Sequence, residues 1–323
     1  MSERGGELRL DPLTGEWVTI VGHRQARPNL PASGCPFCVG GLEAPEPYVV
    51  RAFENRWPAL APGTPVDAGE PPDEPFARLP ARGAAEVVLY TPDHDASMAS
   101  LGTRGARLVV DLWAERTAAL LARPEIEYVL VFENRGREVG ATIDHPHGQI
   151  YAFPFVPPAA RRELEVARER GCPLCRALHD ERSDGSRLVA ELGGWTAYVP
   201  FASGWPYGML VVPHDHVDGL PALDGPSRDA LAGVLVDVLD RYDRLFDRPF
   251  PYMLWVHQLP GSDASHLHLH LAPPLRGPDT MRFVAAGELG SGTLSNPVTP
   301  EAAAGALRGA VPPGPRHGSG RRR

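Results

Sequence analysis

The sequence predicts an α+β protein made of two similar halves. Each half contains, in the same order, a Cys-x-x-Cys pair, a β-strand, a single histidine, a helix, a second strand and a run of alternating histidines. The interval from His94 to His145 in the first half and the interval from His216 to His266 in the second differ by a single residue. This agreement in order and spacing indicates an internal duplication.

The first half is expected to contain short strands, one long helix and an extended histidine segment. Apolar runs closed by turn residues predict the strands, and apolar residues at helical spacing predict the helix. The expected elements are two short strands within residues 7–20, strands at 85–90 and 127–132, and a helix at 104–122. Residues 61–83 are rich in Pro, Gly and Asp, and we expect them to form a long flexible excursion.

The second half repeats these elements. It is expected to contain strands at 208–213 and 251–256 and an amphipathic helix at 227–246. We place the boundary between the halves so that residues 1–157 form the catalytic half and residues 158–310 the second half. Residues 311–323 end in three arginines and are predicted to be a disordered basic tail.

The composition is that of an ordinary soluble globular protein. The chain has 323 residues, of which 43% are hydrophobic and 22% charged, and this length can bury a sizeable core. The net charge of −8 argues against nucleic-acid binding by a basic surface. No apolar run approaches membrane-spanning length, and the N-terminal residues lack the apolar core of a signal peptide, so we expect a cytoplasmic protein without a membrane partner.

All four cysteines belong to the two Cys-x-x-Cys pairs. In a reducing compartment such pairs are metal or redox sites more often than disulfides, and two pairs favour metal. The first predicted site combines Cys35, Cys38, His94 and His145, a tetrahedral zinc set with no open position and therefore a structural role. The alternative is a pair of free buried thiols.

The second half offers two further metal sets. Cys172, Cys175, His216 and His266 repeat the first set, although His214 competes with His216. Glu163, His257, His268 and His270 form a third candidate set, and three imidazoles with one carboxylate suit iron or zinc. The alternative for this third set is a strand of surface histidines that holds no metal.

The segment from Asp144 to Ile150 carries the predicted chemistry. Pro146 disfavours a helix, and in an extended segment His145, His147 and Gln149 share one face. A histidine held in this way can act as a general base or as a nucleophile on phosphorus. Candidate groups for holding the phosphate oxygens are present elsewhere in the half, namely Arg24, Arg27, Asn134, the loop Gly140 to Thr142, and Gln149.

These motifs resemble the galactose-1-phosphate uridylyltransferase family of the histidine-triad superfamily. The resemblance covers most of the chain. Its motifs are Asp11 to Trp17, His23 to Pro28, Asn55 to Pro58, Pro92 to His94, Phe132 to Gly136, Gly140 to Gln149, Trp205 to Tyr207 and His268 to Leu275. It implies tandem histidine-triad-like units with a mostly antiparallel sheet and flanking helices.

The resemblance also implies a ping-pong exchange of UMP in galactose metabolism, the Leloir pathway. His147 would attack the α-phosphorus of UDP-glucose, and UMP would then pass to galactose 1-phosphate. Gln149 would bind the phosphoryl oxygen. Among the other matching positions, Arg24, Arg27, Asn134 and Thr142 correspond to the phosphate site, Asn55 and Arg56 to the uridine site, and Phe283 and Glu288 to the sugar-phosphate segment. Gly140, in the loop that leads to Thr142, is also predicted to bind substrate.

The family's zinc ligands match Cys35, Cys38, His94 and His145, and its iron ligands match the Glu163 set. The pair at Cys172 and Cys175 resembles a subset of the family with a second zinc. The family is typically a homodimer with shared active sites. Gly287 replaces an aromatic residue that is often found in the family, so the acceptor sugar is less well defined than the uridylyl half of the reaction.

Three other functions would explain part of the sequence pattern. A related ADP-sugar phosphorylase or adenylyltransferase would keep the histidine chemistry with another nucleotide or acceptor. In a histidine-triad nucleotide hydrolase, water would replace the acceptor, and a histidine is more usual at the position of Gln149. A non-enzymatic zinc module would explain the cysteine pairs but not the set formed by Arg24, Asn134 and Gln149.

Overall fold

The computed structural model describes residues 6–26, 34–63 and 76–311. Within these ranges the strands are β1 Glu7–Leu10, β2 Trp17–Ile20, β3 Arg51–Glu54, β4 Arg78–Pro80, β5 Ala84–Leu89, β6 Tyr128–Arg135, β7 His147–Phe153, β8 Leu188–Leu192, β9 Trp195–Tyr198, β10 Met209–Pro213, β11 Tyr252–His257, β12 His268–Ala272, β13 Leu275–Gly277 and β14 Thr280–Met281. The helices are α1 Gly102–Leu121, α2 Pro158–Arg170, α3 Pro173–Asp184, α4 Gly225–Leu245, α5 Ala286–Ser291 and α6 Pro300–Gly309.

A single nine-stranded sheet runs through both halves. Its strand order is β3-β5-β7-β6-β11-β12-β10-β9-β8, and every neighbouring pair is antiparallel. The order reads the same from both sides of the β6–β11 junction, with β7 matching β12, β5 matching β10 and β3 matching β9. The prediction of a duplicated, mostly antiparallel α+β fold is confirmed.

The two long helices cover one face of this sheet. Trp113 of α1 and Leu235 of α4 are fully buried, and they join a core to which β6, β7 and β11 contribute Val131, Ile150 and Val256. Full burial of each such side chain stabilises the fold by roughly 1.5–3 kcal/mol. The other face of the sheet therefore carries the remaining side chains of each strand, because successive residues of a strand point to opposite faces.

Local sequence explains where the helices begin. Asp224 precedes α4, and its carboxylate accepts a hydrogen bond from the Ser227 N–H at 2.8 Å, which satisfies a free N–H of the first turn. Cys172 plays the same part for α3, where its sulfur accepts from the Cys175 N–H and Pro173 occupies the first turn. The second cysteine pair thus lies at the start of a helix.

Several elements differ from the sequence predictions. Part of the predicted excursion at 61–83 is ordered, since Arg78 to Pro80 form β4 and pair with β1; residues 64–75 lie outside the described ranges. Helices α2 and α3 and strands β3, β8 and β9 were not predicted, because their apolar patterns are short. The predicted tail falls almost wholly outside the described residues. Among the described helices, none has the length and apolar character needed to cross a membrane.

Candidate functional site

Five of the predicted site residues of the first half meet on the face of the sheet that α1 and α4 leave uncovered. Asn55, Arg56, Thr142, His147 and Gln149 line a cavity of about 240 Å³ there. The lining residues are Pro36, Phe37, Leu42, Glu43, Phe53, Asn55, Arg56, Trp57, Val87, Thr142, Ile143, His147 and Gln149. Strand β7 contributes His147 and Gln149 from alternate positions, while Gly148 between them faces the covered side of the sheet.

His147 is held by its own strand and by an aromatic ring. Its Nδ1–H donates to the backbone carbonyl of His145 at 2.7 Å. The Phe37 ring, which lies between the first two cysteines, packs at 5.0 Å between ring centroids. With the proton on Nδ1, the lone pair of the neutral ring lies on Nε2, the nitrogen that a nucleophilic histidine would use.

Gln149 is oriented by Asn55. The Asn55 side-chain amide donates to Gln149 Oε1 at 3.4 Å, and the Asn55 oxygen accepts from the Trp57 N–H at 2.9 Å. Because the Gln149 oxygen serves as an acceptor here, its NH₂ group is the end available to donate to a ligand oxygen. The spacing of His147 and Gln149 along one strand therefore offers a nucleophile and a donor side by side.

The remaining predicted residues of this half lie around the cavity. Arg56 pairs with Glu43 at 2.8 Å, and both line the cavity. Arg24 donates to the Trp57 carbonyl at 2.9 Å and to the Tyr151 hydroxyl at 3.2 Å. Arg27 lies outside the described residues.

Asn134 and Gly140 precede the lining residue Thr142 in the sequence, but neither of them lines the cavity. Asn134 belongs to β6 and pairs with Met253 of β11. Gly140 ends a short 3-10 turn with a φ of 84°, a left-handed conformation that favours glycine. Its role is therefore to turn the chain toward Thr142, which does line the cavity.

Phe283 and Glu288 lie elsewhere in the chain, in the segment around α5. The Phe283 side chain is 75% exposed and borders a separate shallow cavity with Arg282 and Asn296. Glu288 forms an ion pair with Arg282 and accepts from the Ser295 N–H at 2.8 Å. Neither residue lines the cavity of His147 within one chain, so their predicted contact with substrate stays a prediction.

The first cysteine pair and two histidines converge beside this cavity. Cys38 Sγ lies 3.6 Å from Nδ1 of His94 and 3.6 Å from Nδ1 of His145. His145 is buried, which lowers the pKa of its imidazole and keeps the ring neutral. Its Nε2–H donates to the Thr91 carbonyl at 2.8 Å, which leaves Nδ1 as the free electron-pair donor toward sulfur.

The second set has the same form. Cys172 Sγ lies 3.3 Å from His266 Nδ1, and Cys175 Sγ lies 3.4 Å from His216 Nδ1. Burial lowers the pKa of His266 to about 4, so this ring is also neutral. His214 is not part of the set, since its Nε2 faces the Thr196 hydroxyl at 2.8 Å.

The third set joins helix α2 to strands β11 and β12. Glu163 Oε2 accepts from His257 Nδ1 at 2.7 Å and lies 3.5 Å from His268 Nε2, and Glu163 Oε1 lies 3.7 Å from His270 Nε2. Burial alone would raise the pKa of Glu163, but the hydrogen bond from His257 and the electrostatic influence of His257 and His268 outweigh it and lower the pKa. Glu163 is therefore ionised and available as a ligand.

All three sets fit a metal ion. In each, one ligand atom from every residue lies within 4.8 Å of the others. Zinc–sulfur and zinc–nitrogen bonds of about 2.3 and 2.0 Å at tetrahedral angles separate S from N by roughly 3.5 Å, which matches the Cys–His distances above. The third set has only nitrogen and oxygen donors, which suits harder ions such as iron as well as zinc.

The second half contains a cavity equivalent to that of His147. It measures about 370 Å³ and is lined by the positions that match the first cavity in the duplication. The matching lining residues are Pro173, Leu174, Leu210, Ala264, His268 and His270. His268 donates from Nδ1 to the His266 carbonyl at 2.8 Å, as His147 does to His145. Glu163 of α2, however, lies against His268 Nε2, so the cavity of the second half includes a carboxylate beside this ring.

Several lining residues of the first cavity were not predicted, among them the aromatic residues Phe37 and Trp57. Phe37 lies between Cys35 and Cys38. If both cysteines bind one ion, the residues between them project from the site, and here Phe37 projects into the cavity. Trp57 follows Asn55 and Arg56 directly. In both cases the signal was an aromatic residue within a motif already singled out for its polar members.

Two duplicated α+β units, with a backbone-held histidine at an open cavity in one of them, define the tandem histidine-triad class of fold. Sequence comparison narrows the class. The galactose-1-phosphate uridyl transferase N-terminal domain matches residues 38–157, and the C-terminal domain of the same family matches residues 166–315. The chain belongs to the galactose-1-phosphate uridylyltransferase family.

Individual relatives agree with this assignment. A galactose-1-phosphate uridylyltransferase of Thermotoga maritima is 40% identical over 94% of this chain and 98% of its own length. A solved uridylyltransferase structure superposes with a TM-score of 0.84 at 32% identity, covering 94% of this chain and 98% of the other. An ADP-glucose phosphorylase of Arabidopsis thaliana is more distant, at 28% identity over 95% of this chain and 97% of its own length.

Proposed function

We propose that this enzyme transfers UMP from UDP-glucose to galactose 1-phosphate through a covalent uridylyl-histidine. Family membership supports the reaction class, and the resemblance of the motifs supports both substrates. The observation that carries the mechanism is the hydrogen bond from His147 Nδ1 to the His145 carbonyl, at 2.7 Å, beside a cavity that Gln149 and Thr142 also line.

In the first step, Nε2 of His147 attacks the α-phosphorus of UDP-glucose. The bond from this phosphorus to the bridging oxygen breaks, and glucose 1-phosphate leaves with the electron pair. The ring then carries a positive charge, which the hydrogen bond to the His145 carbonyl stabilises. Donation from the Gln149 amide stabilises charge that builds on the phosphoryl oxygens.

In the second step, a phosphate oxygen of galactose 1-phosphate attacks the same phosphorus. The phosphorus–nitrogen bond breaks, the electron pair returns to Nε2, and UDP-galactose leaves. Asn55 and Arg56 are the proposed uridine contacts. Arg24, Arg27 and Asn134 are the proposed phosphate contacts, and Gly140 shapes the loop that carries Thr142.

A zinc ion bound by Cys35, Cys38, His94 and His145 would supply rigidity, since four protein ligands leave no open position. Because His145 also accepts the hydrogen bond from His147, anchoring His145 orients the nucleophile. The Cys172 set would hold a second zinc. The Glu163 set would hold iron or zinc and would tie α2 to the sheet.

We also propose that the active form is a homodimer in the cytoplasm. The segment of Phe283 and Glu288 does not reach the cavity of His147 in its own chain, and it exposes Phe283, Val284 and Leu289. Such an apolar patch is typical of a protein interface. A partner subunit would then bring these residues to the sugar phosphate, and cysteine ligands fit a reducing compartment.

The mechanism is tested with UDP-glucose labelled at the α-phosphorus. Protein incubated with this donor alone is expected to retain acid-labile label, and galactose 1-phosphate is expected to remove it as UDP-galactose. The His147→Ala variant should retain none, whereas His214→Ala, which changes a histidine outside the cavity, should label normally. Absence of label, or label on His147→Ala, would contradict the mechanism. Label from ADP-glucose that only inorganic phosphate removes would instead identify a phosphorylase.

A further inference from the structure

A buried polar cluster lies beneath the strand that carries His147, on the face covered by α1 and α4. Glu133 of β6 and Tyr90, just after β5, are 4% and 2% exposed. The Tyr252 hydroxyl donates to Glu133 Oε1 at 2.9 Å, whereas the Tyr90 hydroxyl and Glu133 Oε2 are buried without a hydrogen-bond partner among the described residues. Trp113 of α1 packs edge-on against the Tyr90 ring at 6.0 Å.

The Tyr90 hydroxyl fills the space that a side chain at position 148 would need. A Cβ atom on Gly148 would lie 2.2 Å from the Tyr90 oxygen, far inside contact distance. Gly148 is the residue between His147 and Gln149, whose side chains project from the opposite face. The backbone that carries both groups therefore rests directly on the Tyr90 hydroxyl.

The duplication supplies an internal comparison for the trio of Tyr90, Glu133 and Gly148. In the register of the sheet, the matching positions of the second half are Pro213, Val256 and Leu269. All three are apolar, although the folds around them are alike. Apolar residues are therefore sufficient to pack these positions. Of the two halves, only the first places a tyrosine hydroxyl and a carboxyl group there, on the face opposite the cavity of His147.

Polar groups in this place cost stability. Burial raises the pKa of Glu133 to about 7, even though Tyr252, Arg135 and Tyr90 lower it. The Arg135 guanidinium is itself bound to Asp243 of α4 at 2.7 Å. Strain and buried polarity that packing does not need are concentrated where function needs them.

We propose that Tyr90 and Glu133 are positioning residues for the transfer reaction. They fix the position of the Gly148 backbone relative to the sheet, and this orients His147 and Gln149 toward the phosphorus. The Tyr90 hydroxyl supports the strand by contact at Gly148, and the nearby Glu133 carboxyl group acts on this hydroxyl electrostatically. The proposal rests on the function proposed for His147. A displacement of the reacting atoms by about 1 Å can lower a rate by roughly 100-fold, so this support acts on turnover more than on binding.

The first test removes one hydroxyl. In Tyr90→Phe we expect kcat to fall by at least about tenfold, while KM for UDP-glucose stays within about threefold. Tyr242→Phe is the matched control, because it removes a buried hydroxyl from the same core that instead donates to the Tyr207 carbonyl at 2.6 Å. Equal kcat for the two variants, at equal thermal stability, would overturn the proposal.

The second test asks for rescue. Gly148→Ala places a methyl group against the Tyr90 oxygen and is expected to abolish turnover. Combining it with Tyr90→Phe removes the clashing oxygen and leaves only contacts of 3.0 Å to the ring carbon Cζ and to the Phe132 carbonyl oxygen. The double variant should therefore recover part of the activity, at least about tenfold in kcat over Gly148→Ala alone. No recovery in a double variant that folds, as judged by circular dichroism, would contradict the proposed contact.

Single-turnover labelling distinguishes failure of the proposed function of His147 from failure of the proposed positioning role of Tyr90. If the unmodified protein forms no uridylyl-His147, the proposed function fails. If it does, and Tyr90→Phe forms the adduct at the same rate, the positioning role alone fails. A slower adduct in Tyr90→Phe and in Glu133→Gln, but not in Tyr242→Phe, supports the proposal.

Discussion

At the scale of single residues, His145 and His147 differ in which ring nitrogen carries the proton. In each ring, one hydrogen bond to a backbone carbonyl determines this. His145 donates from Nε2 to the Thr91 carbonyl and so turns the Nδ1 lone pair toward Cys38. His147 donates from Nδ1 to His145 and so keeps its lone pair on Nε2. Two identical side chains, two positions apart, thus become a candidate metal ligand and a candidate nucleophile through opposite tautomers.

Gln149 provides the first prediction at this scale. Gln149→Ala should lower kcat by about 10²–10³ with a smaller change in KM, because a donor to the transition-state phosphoryl group is lost. Steady-state kinetics with UDP-glucose and galactose 1-phosphate measures the change. The control is Gln25→Ala, which truncates an exposed glutamine outside the cavity. A uniform rise in KM without loss of kcat would show that Gln149 only binds substrate.

Glu133 provides a second prediction, on stability against pH. Its folded pKa of about 7 lies above the ordinary value of 4.5, so the folded state holds a proton that the unfolded state releases. Its contribution is therefore fully present below pH 4.5 and is lost as pH rises through 7. Glu133→Gln should become more stable than the unmodified protein at pH 8, by about 2–3 kcal/mol relative to pH 5.

Urea unfolding at pH 5, 6.5 and 8 measures this difference. Glu127→Gln, at an exposed position just before β6, is the control and should show no such trend. A difference between Glu133→Gln and the unmodified protein that stays constant with pH would show that the carboxyl group is ionised throughout. The expected gain in stability together with a loss of turnover is the usual trade-off at a functional site.

At the scale of elements, the two cysteine pairs are equivalent in sequence but attached to different structures. The first lies in an irregular segment beside the cavity and presents Phe37 to His147. The second begins helix α3 and presents Leu174 to the cavity of the second half. The same four-residue pattern therefore packs against His147 in one half and begins a helix in the other.

This contrast predicts different outcomes for one substitution made twice. Cys38→Ser and Cys175→Ser should each lose about one equivalent of zinc by elemental analysis. Only Cys38→Ser should also lose uridylyl adduct, because only the first set contains the histidine that orients His147. Full adduct formation in Cys38→Ser would show that the backbone hydrogen bond orients His147 without metal. Unchanged zinc in both variants would contradict both assignments.

The elements also show how far sequence reasoning reaches. The strands and helices with long or repeated apolar patterns were predicted closely; α4 spans Gly225–Leu245 where 227–246 was expected. Helix α2 was missed, because its mostly charged sequence shows only three buried apolar positions. Its Glu163 was nevertheless assigned to the third set, which the structure brings together with a hydrogen bond to His257.

At the scale of the whole molecule, the palindromic sheet makes the duplication visible. The motifs from Gly140 to Gln149 predicted the family, and the family is confirmed. The contact of Tyr90 with Gly148 of β7, near the Glu133 carboxyl group, could not be predicted, since the three residues come from separate strand regions and meet only through the register of the sheet. The boundary at residues 157 and 158 stays a prediction, although β6 and β11 join both halves in one sheet.

The proposed dimer gives the prediction that belongs to this scale. If Phe283 and Glu288 act on the partner's cavity, a mixture of His147→Ala and Phe283→Ala subunits should contain heterodimers with one complete site. After denaturation and refolding together, two subunits of low activity should regain up to about a quarter of full activity, as random pairing of complementing subunits gives. Sedimentation analysis checks the dimer. A mixture no more active than its parts would contradict sharing across the interface.

The β6–β11 junction has a consequence for how the chain folds. Residues 131–135 must find partners at 252–256, so the seam of the sheet joins segments far apart in sequence. Pairing of this kind forms slowly, because a long loop must close first. During synthesis the first half leaves the ribosome with β6 as an open, largely apolar edge. A chain stopped after residue 157 would therefore associate with other chains through that edge. In the full chain, β11 of the second half pairs with β6 and prevents this association.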